Sequence, residues 1–150
     1  MNLEELLKDL DKNLTIKEYK KIENTIYITC EENTRINNCP YCNESSSNIH
    51  SKYIRTIVDL PIQNNEVKLL LIVKKFFCNN PKCKHKTFGQ RFDFVSPKAV
   101  RTKRLDDYIN KMGLRDNSMD TVRNLKDIGI TVSSNTVLRI VKKNEINDKL

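Results

Sequence analysis

Tryptophan is absent from this sequence, and glycine is nearly so, with three residues in a chain of 150. So few glycines exclude a glycine-rich loop of the kind that cradles phosphates. No apolar run approaches the roughly 18 residues of a membrane span. The opening "MNLEELLKDLDKNLTIKEY" carries acids where a secretory signal requires an apolar centre. The expected location is therefore cytoplasmic, where thiols favour metal-bound or free states over disulfides. Hydrophobic residues are also in short supply at 38%, so a metal staple would add to a lean core. The last scarcity is local: residues 68–104 hold one acid, Asp93, against eleven Lys and Arg. Residues 1–38, by contrast, hold six basic and eight acidic residues. A single-sign stretch in a chain of net charge +8 points to a polyanion, most often nucleic acid. An anionic membrane fits less well, because the stretch lacks an amphipathic helical pattern.

Cysteine, in contrast, is present in a pattern. Of five, four form two pairs, "CPYC" (Cys39, Cys42) and "CNNPKC" (Cys78, Cys83), with 35 residues between the pairs. Loops with two or four residues between thiolates allow both to point at one tetrahedral ion, and Pro40 and Pro81 stiffen them. Two such knuckles on strand ends make a zinc ribbon with one structural zinc. Four thiolates close the coordination sphere and leave no position for water or substrate. His50 and His85 stay outside this ligand set. Cys30, in the strand-like "NTIYITCE", reads as a small buried hydrophobe.

A gap of 35 residues requires a hairpin to return the chain. "KYIRTIVDLPI" and "EVKLLLIVKKFF" supply two strands, with turn chemistry in "PIQNN" between them. Upstream, Leu3, Leu6, Leu7 and Leu10 suggest a short helix, and "TIKEYKKIENTIYITCEEN" a hairpin turning near Asn24. Around "DFVSPKAV" the strand pattern ends, and from Arg101 a helical period replaces it. Leu105, Tyr108, Ile109 and Met112 share one helical face, with Thr102 as N-cap and Gly113 as stop. A second helix starts at a Ser118 N-cap. A third follows Gly129, capped by Ser133 or Ser134, with Val137, Ile140 and Val141 turned inward. Three short helices with glycine in the last turn spell a helix-turn-helix.

"CPYC", "YIRTIVDLPI", "VKLLLIVKKFFCNNPKCKHKTFGQRF" and "RTKRL" together resemble the N-terminal region of ISL-three family insertion-sequence transposases. The resemblance implies DNA recognition at the ends of a mobile element, with Cys39, Cys42, Cys78 and Cys83 as the finger's zinc ligands. Full-length members of that family resemble transposases that cut and join DNA at an Asp/Asp/Glu metal site. Such a site needs a large α/β domain to gather its carboxylates. No stretch of this sequence supplies one, so the expectation is a truncated, non-enzymatic DNA-binding fragment that cannot transpose alone.

The expected fold is α+β: a helix and hairpin over 1–38 packing on the ribbon, a zinc-ribbon-like finger over 39–95, and a helix-turn-helix over 96–150. Expected phosphate contacts are Lys74, Lys75, Lys82, Lys84, Lys86 and Arg91, with Arg101, Lys103 and Arg104 also on the DNA-binding side. On the last helix Ser134, Asn135, Thr136, Arg139, Lys142 and Lys143 face outward, suited to base edges and phosphates. The partner is double-stranded DNA, with self-association or pairing with an intact transposase as the rival role.

Overall fold

The computed structural model describes residues 2–148, so Met1, Lys149 and Leu150 lie outside it. Its elements are α1 (Leu3–Lys8), β1 (Leu14–Ile22), β2 (Thr25–Glu32), β3 (Asn37–Asn38), β4 (Ser45–Ser46), β5 (Ile49–Ile62), β6 (Asn65–Phe77), β7 (Thr87–Gly89), α2 (Lys103–Arg115), α3 (Ser118–Asp127) and α4 (Ser134–Asp148). The class is mixed α+β, with strands filling the first two thirds of the chain.

Two hairpins build the main sheet, ordered β1-β2-β6-β5, with β7 on the end of β6. The β5–β6 turn is Gln63-Asn64, both at positive φ (51° and 64°). That pair of left-handed residues is what a two-residue hairpin demands of its loop. The hairpins then join through a parallel ladder from Thr25↔Glu66 to Glu31↔Ile72. Thus β1 and β2 extend the sheet of β5 and β6 edge to edge.

Along β6, Val67, Leu69, Leu71 and Val73 are buried with the two-residue period of a strand. They meet Leu7, Leu14, Ile28, Cys30 and Ile57 in the main core, which Phe92, Phe94 and Val95 close. At Val73/Lys74 the buried parity switches, and Lys74 and Phe76 are the next buried positions. Phe76 therefore belongs to a second cluster on the opposite face, with Cys39 and Phe88.

A third core joins Leu105, Ile109, Leu125, Ile130, Val137 and Ile140 of the last three helices, with Val58 and Leu60 of β5 packed against it. The entry to α2 is tightly held. Val58 N–H donates to the Val100 carbonyl and Thr102 N–H to the Val58 carbonyl, both at 2.9 Å. Thr102 is the N-cap of α2, accepting from Leu105 N–H. Asp59, 3% exposed, accepts from the Thr102 hydroxyl at 2.8 Å and from two guanidinium nitrogens of Arg104 at 2.8 and 2.5 Å.

Two helix boundaries differ from expectation. Asn117, not Ser118, caps α3, its side chain accepting from Asp120 N–H at 2.9 Å. Both residues are good caps and adjacent, so local preference does not separate them. Gly113 does not stop α2, which runs on to Arg115. A Cβ there would sit 2.7 Å from Val141 Cγ2 and 3.0 Å from Val137 Cγ1. The glycine lets α2 and α4 approach. Gly113→Ala normally gains about 1 kcal/mol of helix propensity; here overpacking costs about 1–3 kcal/mol. We expect thermal unfolding of this variant at a lower temperature than the parent; a rise would mean the helices part without cost.

Candidate metal centre and basic surface

Cys39 and Cys42 sit on the loop between β3 and β4. Cys39 N–H donates to the Glu44 carbonyl and Asn43 N–H to the Cys39 carbonyl, each at 2.8 Å, with Asn43 at φ 65°. Cys78 directly follows β6, and its N–H donates to the Lys86 carbonyl at 2.8 Å. Cys83 is fixed by its N–H to the Asn80 carbonyl at 3.1 Å, while the Asn80 side chain accepts from Lys82 N–H at 3.0 Å. These are two backbone-organised knuckles that face each other and pack against the Phe76–Phe88 ring pair, whose centroids lie 5.4 Å apart.

The four sulfurs lie within 4.8 Å of one another. Cys39–Cys83 is 4.0 Å and Cys42–Cys78 is 3.5 Å between Sγ atoms. A tetrahedron with Zn–S bonds of about 2.3 Å has S···S edges of roughly 3.8 Å. The spacings bracket that edge and are far too long for a disulfide near 2.05 Å. All five cysteines are free thiols.

The thiols also show why an ion belongs here. The backbone N–H of Glu44 brings Cys42 down to about 7. At Cys78 the Asn80 N–H favours the thiolate, yet burial and the three neighbouring thiols prevail and push it up to about 12. Cys83 is raised too, against the pull of the His85 N–H. Four thiolates this close repel one another, and a dication among them removes the penalty. Cys30 is a different case: fully buried in the main core, its thiol is pushed up to about 12 chiefly by desolvation.

Residues 37–83 match a family model described as the zinc-finger of transposase IS204/IS1001/IS1096/IS1165. The matched segment holds all four cysteines. They are positioned to bind one zinc ion in a transposase-type zinc ribbon. No curated protein and no solved structure matches the chain. No helix among the described residues is long and apolar enough to cross a membrane.

Around the ribbon the expected basic residues separate into groups. Lys82, Lys84, Lys86, Arg91 and Lys103 are exposed, and Lys75 is half-buried. Lys74 is a correction: only 7% exposed, it donates its ammonium to the carbonyls of Glu32 at 2.7 Å and Thr34 at 3.2 Å. Burial lowers its pKa from the ordinary lysine value. An ammonium held on internal carbonyls is not offered to an external phosphate. Arg101 and Arg104 are half-buried and engaged, with Asp106 at 2.6 Å and Asp59 at 2.5 Å. On α4, Asn135, Arg139, Lys142 and Lys143 are exposed, while Ser134 and Thr136 are half-buried. Ser133 caps this helix, its hydroxyl accepting from Thr136 N–H at 3.1 Å.

One feature of the knuckle has no signature in the cysteine spacing. Tyr41 stacks on His85 with centroids 3.5 Å apart, and the Arg91 guanidinium lies 5.7 Å from the Tyr41 ring centre. His85 is thus a packing partner beside the zinc site. His50 hydrogen-bonds Ser51 at 2.9 Å and meets Phe77 edge-on.

Proposed function

We propose that this chain binds double-stranded DNA, recognising the ends of a mobile element through its zinc ribbon and a helix-turn-helix formed by α2, α3 and α4. The observation that carries this reading is the convergence of four sulfurs within 4.8 Å inside a segment matching a transposase zinc finger. Exposed Lys82, Lys84 and Lys86 on the same knuckle support it. So does the turn before α4, where Gly129 adopts φ 100° and Ile130 N–H returns to the Leu125 carbonyl at 2.9 Å. That is a glycine-terminated helix end, and it releases the chain into a second helix with an exposed polar face.

In this reading Asn135 and Arg139 meet base edges and Lys142 and Lys143 meet phosphate. The ribbon lysines and Arg91 contact the backbone alongside. Binding measured by fluorescence anisotropy should weaken steeply with salt, with a log–log slope of about −0.9 per phosphate neutralised. Arg139→Ala should lower the preference for the cognate site, each good base contact contributing about 1–3 kcal/mol of discrimination. Lys84→Ala should lower affinity equally for cognate and unrelated duplexes and flatten the slope by about one. A salt-independent affinity contradicts the proposal.

A second reading, pairing with another protein such as an intact transposase, is favoured by exposed Leu138 (55%) and Ile146 (53%) on α4. Capture of a transposase that survives nuclease treatment and high salt would support it.

A further inference from the structure

Beside the zinc knuckle, the segment from β7 to residue 98 borders an open cleft of about 390 Å³. Three rings, Tyr41, Tyr53 and Phe92, and three cations, Arg55, Arg91 and Lys98, line it. The fold invests in this space. Tyr53, on β5, extends across β6 until its hydroxyl would be 3.2 Å from any Cβ at Gly89, so glycine at that point of β7 makes room for the phenol. The guanidinium of Arg55 donates to the carbonyls of Ser96 at 3.0 Å and Ala99 at 2.9 Å, holding the loop that carries Lys98. Lys98 itself sits at φ 65°, a left-handed conformation that costs a non-glycine residue of order 1 kcal/mol or more.

We infer that this cleft receives a single unpaired nucleotide of the bound DNA, its base against Tyr53 and its phosphate between Arg91 and Lys98. The inference rests on the DNA-binding reading above and goes beyond it. A cleft near the lower end of the 300–1,000 Å³ range of small-ligand sites takes one nucleotide and no duplex. Cation-plus-aromatic lining is the chemistry that unpaired bases and their phosphates call for, because every base has a stacking face. Taking a base out of a duplex costs a few kcal/mol, least where it is already unpaired. The cleft therefore distinguishes distorted or open DNA from intact duplex.

The test uses the full zinc-loaded chain and three fluorescent duplexes of one sequence: fully paired, with one unpaired thymidine, and with an unpaired abasic residue. Stacking contributes about 1–3 kcal/mol per base, so the thymidine bulge should bind at least about fivefold tighter than the paired duplex. The abasic bulge, equally flexible but without a base, should show little of that gain. Tyr53→Leu should remove the preference while leaving paired-duplex affinity unchanged, and Lys98→Ala should reduce it. Zinc content and circular dichroism identify a variant that fails to fold, in which case the three-duplex comparison on the parent chain decides. Equal affinity for all three duplexes overturns the inference and leaves duplex recognition standing. Absence of any DNA binding overturns both.

Discussion

Cys83→Ser should bring zinc content from one ion per chain to near zero and unfold the knuckle region selectively. The magnitude follows from what else holds that region. Strands β3 and β4 are two residues each, and the local core is Cys39, Phe76 and Phe88. Burying a phenylalanine contributes about 1.5–3 kcal/mol, whereas structural zinc contributes about 10–16 kcal/mol in finger peptides. The metal dominates. The main core of Leu14, Ile28, Leu69, Leu71 and their neighbours does not touch the cysteine cluster, so it should survive. Hydrogen exchange should accordingly lose protection over 37–48 and 76–89 and keep it over 25–31 and 66–72. Cys30→Ala is the control. That thiol lies in the main core, so the variant should keep its zinc and lose only modest stability. Zinc retained in Cys83→Ser, or uniform loss of protection across the sheet, would contradict the division of the fold described above.

Arg104→Met should destabilise the chain by about 3–5 kcal/mol, the usual cost of leaving a buried charge without its partner. Asp59 is 3% exposed and holds both the Arg104 guanidinium and the Thr102 hydroxyl that caps α2. With Arg104 gone, the carboxylate keeps its desolvation cost and loses its counter-charge, and the junction between β5 and α2 weakens with it. The double variant Asp59→Leu, Arg104→Met should recover much of the loss, because an apolar pair of similar volume replaces a buried ion pair at little net cost. Urea unfolding of the single and double variants measures both effects. A single variant as stable as the parent would show that water reaches Asp59 and that the junction does not depend on the pair. Arg104 is also an expected DNA contact; its engagement with Asp59 gives it a role in stability that the urea measurement reads independently of DNA.

What was legible in the sequence was local. The thiol spacings, Pro40 and Pro81 announce two knuckles; alternating and β-branched runs announce both hairpins; Thr102 announces the start of α2. The unreadable parts depend on distant neighbours. The parallel ladder between 25–31 and 66–72 joins two hairpins about forty residues apart, and no short pattern encodes that register. Lys74 looked like one more cation in a basic stretch. Its burial follows from the change of buried face along β6 and from two carbonyls near the end of β2, neither visible in its neighbours. Gly113 was read as a helix stop because glycine commonly is one. Its role is set by Val137 and Val141 on α4, in another helix of the bundle. The Tyr41–His85 stack likewise depends on the two knuckles meeting, and a histidine just past Cys83 says nothing of a tyrosine between Cys39 and Cys42.

The most direct measurement is X-ray absorption at the zinc edge on the purified, metal-loaded chain. Sulfurs of Cys39, Cys42, Cys78 and Cys83 gathered around one ion should give a first shell of four scatterers at about 2.3 Å. A shell containing nitrogen or oxygen, or fewer than four sulfurs, would mean the two knuckles do not close on a common ion, and the basic surface built upon them would have no fixed frame.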